Sequence, residues 1–260
     1  MQTQRKTNRR GVAYSSSTSK YLLYGMHTVK FVLANPRRTI SAIYATQSAC
    51  KRLQNCKVQL PLNPRIVDMH WFKTFLGNSA VHQGIAVEVE PLKTCNIEAL
   101  ANAKLVLALD AITDPHNVGA IFRSAAAFGV DAVITTTRHS PKETGILAKA
   151  ASGATEIISH VRVLNLADAL RQLRLKNFLI IGLDSRGAQL LEDAGSITRC
   201  VLLLGAEGKG IQSVNQKECS LLARLKLPGK LQSLNVSNAA ALSLHIVTQC
   251  EEIALRHLIR

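Results

Sequence analysis

Residues 225–245 read LKLPGKLQSLNVSNAAALSLH, and the fold turns on how this stretch is interpreted. Its apolar front predicts a short strand ending at Pro228, whose ring offers no N–H to a ladder. Its Ala-, Leu- and Ser-rich end predicts a helix. Between them stand four short polar side chains, Ser233, Asn235, Ser237 and Asn238. Such residues take up the free N–H groups of a helix start, so capping is the plain reading. One capping residue does that alone. Four of them, followed by Ala239, Ala240 and Ala241, point to a backbone held against a ligand and a helix that packs closely.

Upstream, Lys104–Asp110 (KLVLALD) is a continuous apolar run of the kind buried inside a parallel sheet. Asp114-Pro115-His116-Asn117-Val118-Gly119 reads as a turn feeding a helix over Ala120–Phe128, and Asp131–Thr135 returns as a strand. Helices at Ala148–Gly153 and Leu166–Leu173 then alternate with extended segments at Glu156–Val161, Phe178–Leu183 and Cys200–Leu204. This alternation predicts an α/β domain whose mostly parallel sheet is covered on both faces. Ligands of such sheets bind beyond the C-terminal strand ends. Three loops leave those ends with unusual residues: 110–123, 205–210 and 228–238. Their convergence predicts the site.

The first part of the chain is organised differently. Residues 1–20 carry five Lys/Arg and no acid, and have too little apolar surface to fold. They read as a basic arm that contacts phosphates, with an organelle targeting segment as the second reading. Residues 21–92 predict a small α/β sandwich: helix Thr28–Ala34, strand Ile40–Ala45, helix Ser48–Asn55, strand Lys57–Leu60, helix Ile66–Leu76 and a last strand in Val81–Val89 that alternates from Ile85. His82 opens that strand in a His-Gln-Gly turn and reads as structural. Residues 93–103 form a linker with one helical turn, leaving 104–260 as the second domain.

Net charge is +15, and its density is highest before residue 93. A polyanion, above all a nucleic acid, is the expected partner; a merely soluble basic surface is the alternative. No apolar run approaches the roughly 18 residues that span a bilayer. The six cysteines form no CxxC pair and no metal-ligand spacing, which points to buried thiols in a reducing compartment.

Within the loops, LLLGAEGKGI (202–211) departs from both phosphate-binding glycine templates, since Lys209 is followed by Gly210 and the order is G-x-x-G-x-G. Its three glycines allow close backbone approach, and Glu207 is the one carboxylate among them. Solvated charge or helix cap is one role for Glu207; an anchor for a ribose, a base or a neighbouring loop is the other. Asn117 is placed at a helix start. Arg123 lies among Ile121, Phe122, Ala125, Ala126 and Ala127, and suits a bidentate phosphate grip.

Together, DAITDPHNVGAIFRSAAAFGVDAVI (110–134), LLLGAEGKGI and LPGKLQSLNVSNAAALSLH (227–245) resemble the three motifs of the SpoU (TrmH-type) RNA 2′-O-ribose methyltransferases of the SPOUT superfamily. YGMHTVKFVL (24–33) and VHQGIAVEV (81–89) resemble the ribosomal-L30e-like substrate-binding domain of the larger members, those that methylate a guanosine of 23S rRNA. The resemblance implies a deep C-terminal trefoil knot, S-adenosylmethionine as donor without a metal, and a homodimer in the bacterial cytoplasm. An organelle matrix is the lesser alternative, and no membrane is involved. It implies Gly205, Leu227 and Leu234 as donor-pocket residues. Asn117, Glu207, Ser233 and Asn235 would shape the catalytic site, and Arg123 would meet the target ribose and its phosphate. Substrate expectations run 23S rRNA first and tRNA second, with a non-catalytic RNA-binding assembly factor as the rival class.

Overall fold

The computed structural model describes residues 20–195 and 197–258, with side chains through residue 249. The arm expected over 1–20 lies outside the described residues except for Lys20. Two sheets follow in order. The first comes from Tyr21–Tyr24 (β1), Met26–Ala34 (α1), Ile40–Ala45 (β2), Gln47–Asn55 (α2), Arg65–Ile66 (β3), Met69–Leu76 (α3) and Ile85–Val89 (β4). Its strand order is β1-β4-β2-β3, antiparallel except for the β2–β3 pair. The second half runs Leu105–Asp110 (β5), Pro115–Ala127 (α4), Ala132–Thr136 (β6), Gly145–Ala151 (α5), Ser159–Val163 (β7), Leu166–Leu175 (α6), Leu179–Leu183 (β8), Gln189–Leu190 (β9), Cys200–Gly205 (β10), Ser213–Gln216 (α7), Leu221–Arg224 (β11) and Val236–Leu258 (α8). These give a seven-stranded sheet of order β7-β6-β5-β10-β8-β11-β9, parallel throughout.

The apolar run in β5 has a direct reason. Leu105, Leu107 and Leu109 face a core built with α4, α5 and α8, while Val106 and Ala108 face the core under α6. Both faces are covered, so both sets of alternate residues must be apolar. On α8, Val236, Ala240, Ser243, Leu244 and Val247 are buried, a stripe at helical spacing that seats the helix against α4. The close-packing helix read from the alanines is therefore present.

Several local expectations need correction. No strand forms over 225–228; the strand lies just before it, at β11. Its edge partner β9 offers only Gln189 and Leu190, and Arg224 turns its guanidinium back onto the carbonyls of Gly187 and Ala188. The ladder has nothing further to pair with. No strand forms at Lys57–Leu60 either, because Lys57 leaves α2 in the left-handed region (φ 52°). The pairing segment comes later, at β3, beyond Pro64, and α3 then begins at Met69, capped by Asp68, whose Oδ1 accepts the Trp71 N–H at 2.8 Å. β4 begins only at Ile85, after Gln83 and Gly84 with positive φ. It buries Ile85, Ala86, Val87 and Val89 rather than alternating, since α3 covers its second face. α5 starts at Gly145 and β7 at Ser159, each displaced by about three residues from its expected place.

Candidate active site at the sheet switch point

β5 and β10 are neighbours, and their last residues, Asp110 and Gly205, stand side by side in register. From β5 the chain winds outward through β6 and β7, and later strands fill the other side, so this pair marks the switch point where such sheets bind ligands. The Asp110 carboxylate is buried. It accepts the Gln212 backbone N–H at 2.7 Å and the Gln212 side-chain amide at 2.6 Å, tying the two strand ends together. Sequence reasoning left Asp110 out of the site; an acid closing an all-apolar strand was the available signal.

Beyond the strand ends the three loops meet on one side chain. Asn235, the N-cap of α8, accepts from Ser237 N–H and Oγ through its Oδ1, at 2.9 and 2.6 Å. Its Nδ2 donates to Asn117 Oδ1 at 2.9 Å and to Glu207 Oε1 at 2.8 Å. Glu207 Oε1 also accepts the Val236 N–H at 3.1 Å. One amide thus joins α4, the glycine loop and α8. Glu207 is both a helix cap and a loop anchor. With Oε1 accepting two hydrogen bonds, Glu207 ties the glycine loop to the start of α8.

Asn117 does not precede its helix. α4 begins at Pro115, the favoured first-turn position for proline, behind Asp114, whose carboxylate accepts the N–H groups of His116 and Asn117. Arg123 consequently sits more than two turns into α4, and helical geometry turns it about 120° away from Asn117. It is exposed and makes no hydrogen bond or ion pair with any described residue. The structure joins Asn117, Glu207 and Asn235 and leaves Arg123 free on the same helix.

Gly205 is required by its own loop. A Cβ there would lie 2.1 Å from the Gly210 carbonyl carbon, because the loop doubles back with Gly210 N–H bonded to the Ala206 carbonyl at 2.8 Å. Leu227 is half-buried, whereas Ser233 and Leu234 are exposed on the segment leading to α8. Ser233 is not hydrogen-bonded to the Asn117–Glu207–Asn235 junction. Residues 225–234 form no backbone–backbone hydrogen bond among the described residues, and the Gly229 carbonyl accepts the Gln232 side-chain amide at 3.0 Å. Asn238 is exposed in the first turn of α8.

A separate cavity of about 620 Å³ opens between the two sheets, away from this junction. Its lining includes Arg37, Lys93, Phe122, Glu143, His160 and Arg162. His160 bonds Thr135 Oγ1 through Nε2 at 2.8 Å and meets Phe122 edge-on. Burial, with Arg162 nearby, pushes it down to about 4. His82 is buried, stacked flat on Phe72 at 4.3 Å, with Nδ1 accepting the Gly84 N–H; it is structural.

Among the described residues, no group of three or more His, Cys, Asp or Glu is placed to hold a metal, and no helix is long and apolar enough to cross a membrane.

Comparison with known proteins agrees with this geometry. The profile of the RNA 2′-O ribose methyltransferase substrate binding domain matches residues 22–95. The 23S rRNA (guanosine-2′-O-)-methyltransferase RlmB of Pasteurella multocida is 34% identical over 233 residues, covering 85% of this chain and 95% of that protein. The SpoU methyltransferase AviRb of Streptomyces viridochromogenes superposes with a TM-score of 0.76 at 17% identity, over 90% of this chain and 91% of that one. An AdoMet-bound rRNA methyltransferase from Sinorhizobium meliloti gives 0.74 at 20% identity, over 88% and 87%. At those identities the two structures establish the fold alone. The profile of the SpoU rRNA methylase family matches residues 104–245, more than half of the sequence, and the chain belongs to that family.

Proposed function

We propose that this chain is an S-adenosylmethionine-dependent RNA 2′-O-ribose methyltransferase acting on a guanosine of 23S ribosomal RNA. The observation that carries the reading is the junction at Asn235, which binds all three family motifs into one site at the sheet switch point. The names of the curated relatives support the substrate.

The residues present fit the donor. The glycine turn at 205–210 and the peptide groups of 225–234, which make no backbone–backbone hydrogen bond among the described residues, offer backbone donors and acceptors, with Leu227 and Leu234 as apolar walls. The donor supplies a sulfonium methyl that is already activated, so the protein's task is alignment and removal of one proton. Asn117, Glu207 and Asn235 hold the loops, and Ser233 lies on the donor-binding segment. Arg123 is a clamp for the target phosphate and a charge stabiliser, not a general base, since a guanidinium offers donors and no acceptor. We include in the proposal a knotted C-terminal half over 104–260, a substrate-binding domain over 21–92 joined by 93–103, and a basic arm over 1–20. It also includes a homodimer that completes the site and a bacterial cytoplasmic location.

The test is transfer of a labelled methyl group to unmodified large-subunit rRNA, with tRNA in parallel, followed by mapping of the product. One ribose-methylated guanosine in rRNA is expected. Signal on tRNA alone would overturn the substrate, and donor binding without transfer to either would favour an assembly factor. Arg123→Ala is expected to lower methyl transfer by at least 100-fold while S-adenosylmethionine binding, read by calorimetry, stays within about twofold. Loss of both together would refute the clamp role.

A further inference from the structure

We propose that Tyr44, Trp71 and Phe75 form a stacking platform for unpaired bases of an RNA strand; the inference rests on the RNA-methyltransferase reading above. Aromatic residues are only 4% of the chain, and Trp71 is its sole tryptophan. Three of them nevertheless gather on one face of the first sheet. Trp71 lies over Tyr44 with ring centroids 4.3 Å apart and planes 22° from parallel. Phe75, one helical turn on, meets Trp71 at 4.7 Å and 31°. From the inner side, buried Phe72 fixes the Trp71 ring edge-to-face at 5.2 Å.

Folding alone does not explain it. Phe75 is 55% exposed, and Met69 on the same helix and Ile66 on β3 are 52% and 57% exposed. Exposed aromatic and apolar side chains gathered on one helix and its adjoining strand mark an interaction surface. Its charge selects the partner. Arg65 sits over Tyr44, its guanidinium 5.7 Å from the ring centre, and Lys73 and His70 are exposed on α3. Asp68 is exposed, with its Oδ1 accepting the Trp71 N–H as the cap of α3, and Glu88 on β4 is half-buried. Aromatic faces beside cations match the two demands of a single strand, stacking for its bases and positive charge for its phosphates. A duplex hides its base faces and gains only the charge.

Trp71 reports on its own surface, since all tryptophan emission comes from it. The full chain is titrated with a single-stranded RNA dodecamer and with a blunt duplex of the same length. The single strand is expected to quench Trp71 saturably and the duplex not to. Phe75→Ala is expected to weaken single-strand binding roughly 5- to 100-fold, the span for one stacked base, and Phe75→Tyr to restore it. The same variants are assayed on large-subunit rRNA. If the wild type methylates rRNA but Phe75→Ala binds the dodecamer and keeps KM unchanged, the platform is refuted and the function stands. If the wild type transfers no methyl group to any RNA, the functional reading fails instead. A change in sedimentation of Phe75→Ala with unchanged RNA affinity would make the face a subunit contact and overturn the inference.

Discussion

Asn235 shows how much one side chain can be asked to do. Its Oδ1 caps α8, while its Nδ2 holds Asn117 and Glu207, so a single amide satisfies groups from three loops. Only an amide offers acceptor and donor at the same reach. Asn235→Asp keeps the cap but turns a carboxylate oxygen toward Glu207 Oε1, where the Nδ2–Oε1 distance is 2.8 Å. Two acceptors of like charge then face each other, and Glu207 Oε1 and Asn117 Oδ1 both lose the Nδ2 donor. The expected result is at least a tenfold loss of S-adenosylmethionine affinity by calorimetry, with the helical content of the chain unchanged. Adding Glu207→Gln should return part of it, because the second negative charge is removed and the introduced amide nitrogen can donate to the new carboxylate, at the cost of the acceptor for the Val236 N–H. Strictly additive losses in the double variant would show that the two residues are not coupled.

At the level of elements, what the sequence reveals depends on whether a segment's partner is local. β5 is legible because burial on both faces demands an unbroken apolar run, and α8 because its alanines mark a closely packed stripe. The start of α4 comes earlier than expected, and Asp114-Pro115, which carries the cap signal for it, has the composition of a turn as well. β11 comes earlier than its expected place, since its end is set by the two-residue strand beside it, a partner over thirty residues upstream. β4 loses its expected alternation only because α3 folds across it. Among the site residues, Asn117, Glu207 and Asn235 come together as the motifs imply, but Asp110 and the position of Arg123 on α4 needed coordinates. β7 gives an element-scale prediction through His160, held near 4 mainly by burial, with Arg162 adding to the shift and Glu143 opposing it. An unfolded histidine titrates near 6.5, so on acidification the unfolded chain takes up its proton first. The contribution is fully present above pH 6.5 and is lost as the pH falls to about 4; its size is at most about 3 kcal/mol, less where water in the cavity screens it. Urea midpoints measured between pH 7 and 5 should fall for the wild type and fall less for His160→Gln. Parallel curves would remove His160 from the account.

The whole molecule is held together by charge placed where water does not reach. The Arg38 side chain is fully buried, and it joins Glu143 and Glu156 from the second half of the chain while also donating to Tyr21 Oη and the Glu90 carbonyl. Asn35 Nδ2 donates to the same Glu156 at 2.7 Å, and Arg37 reaches its backbone carbonyl at 3.1 Å. Around this network the two halves touch at glycine. A Cβ on Gly145 would lie 2.5 Å from the Tyr24 ring, and one on Gly153 would lie 2.2 Å from the Phe31 ring. This seam joins the first sheet to α5 and the turn that follows it. Arg38→Met keeps an unbranched apolar stem but strands Glu156, whose side chain is only 2% exposed, without its cation. Removing one partner of a buried pair costs about 3–5 kcal/mol, because the remaining charge stays desolvated. The unfolding midpoint should drop accordingly, and Glu156→Gln in the same chain should recover part of the loss by neutralising the orphan. If Arg38→Met unfolds within about 1 kcal/mol of the wild type, the seam is held by its apolar and glycine contacts instead, and the ion network only sets its register.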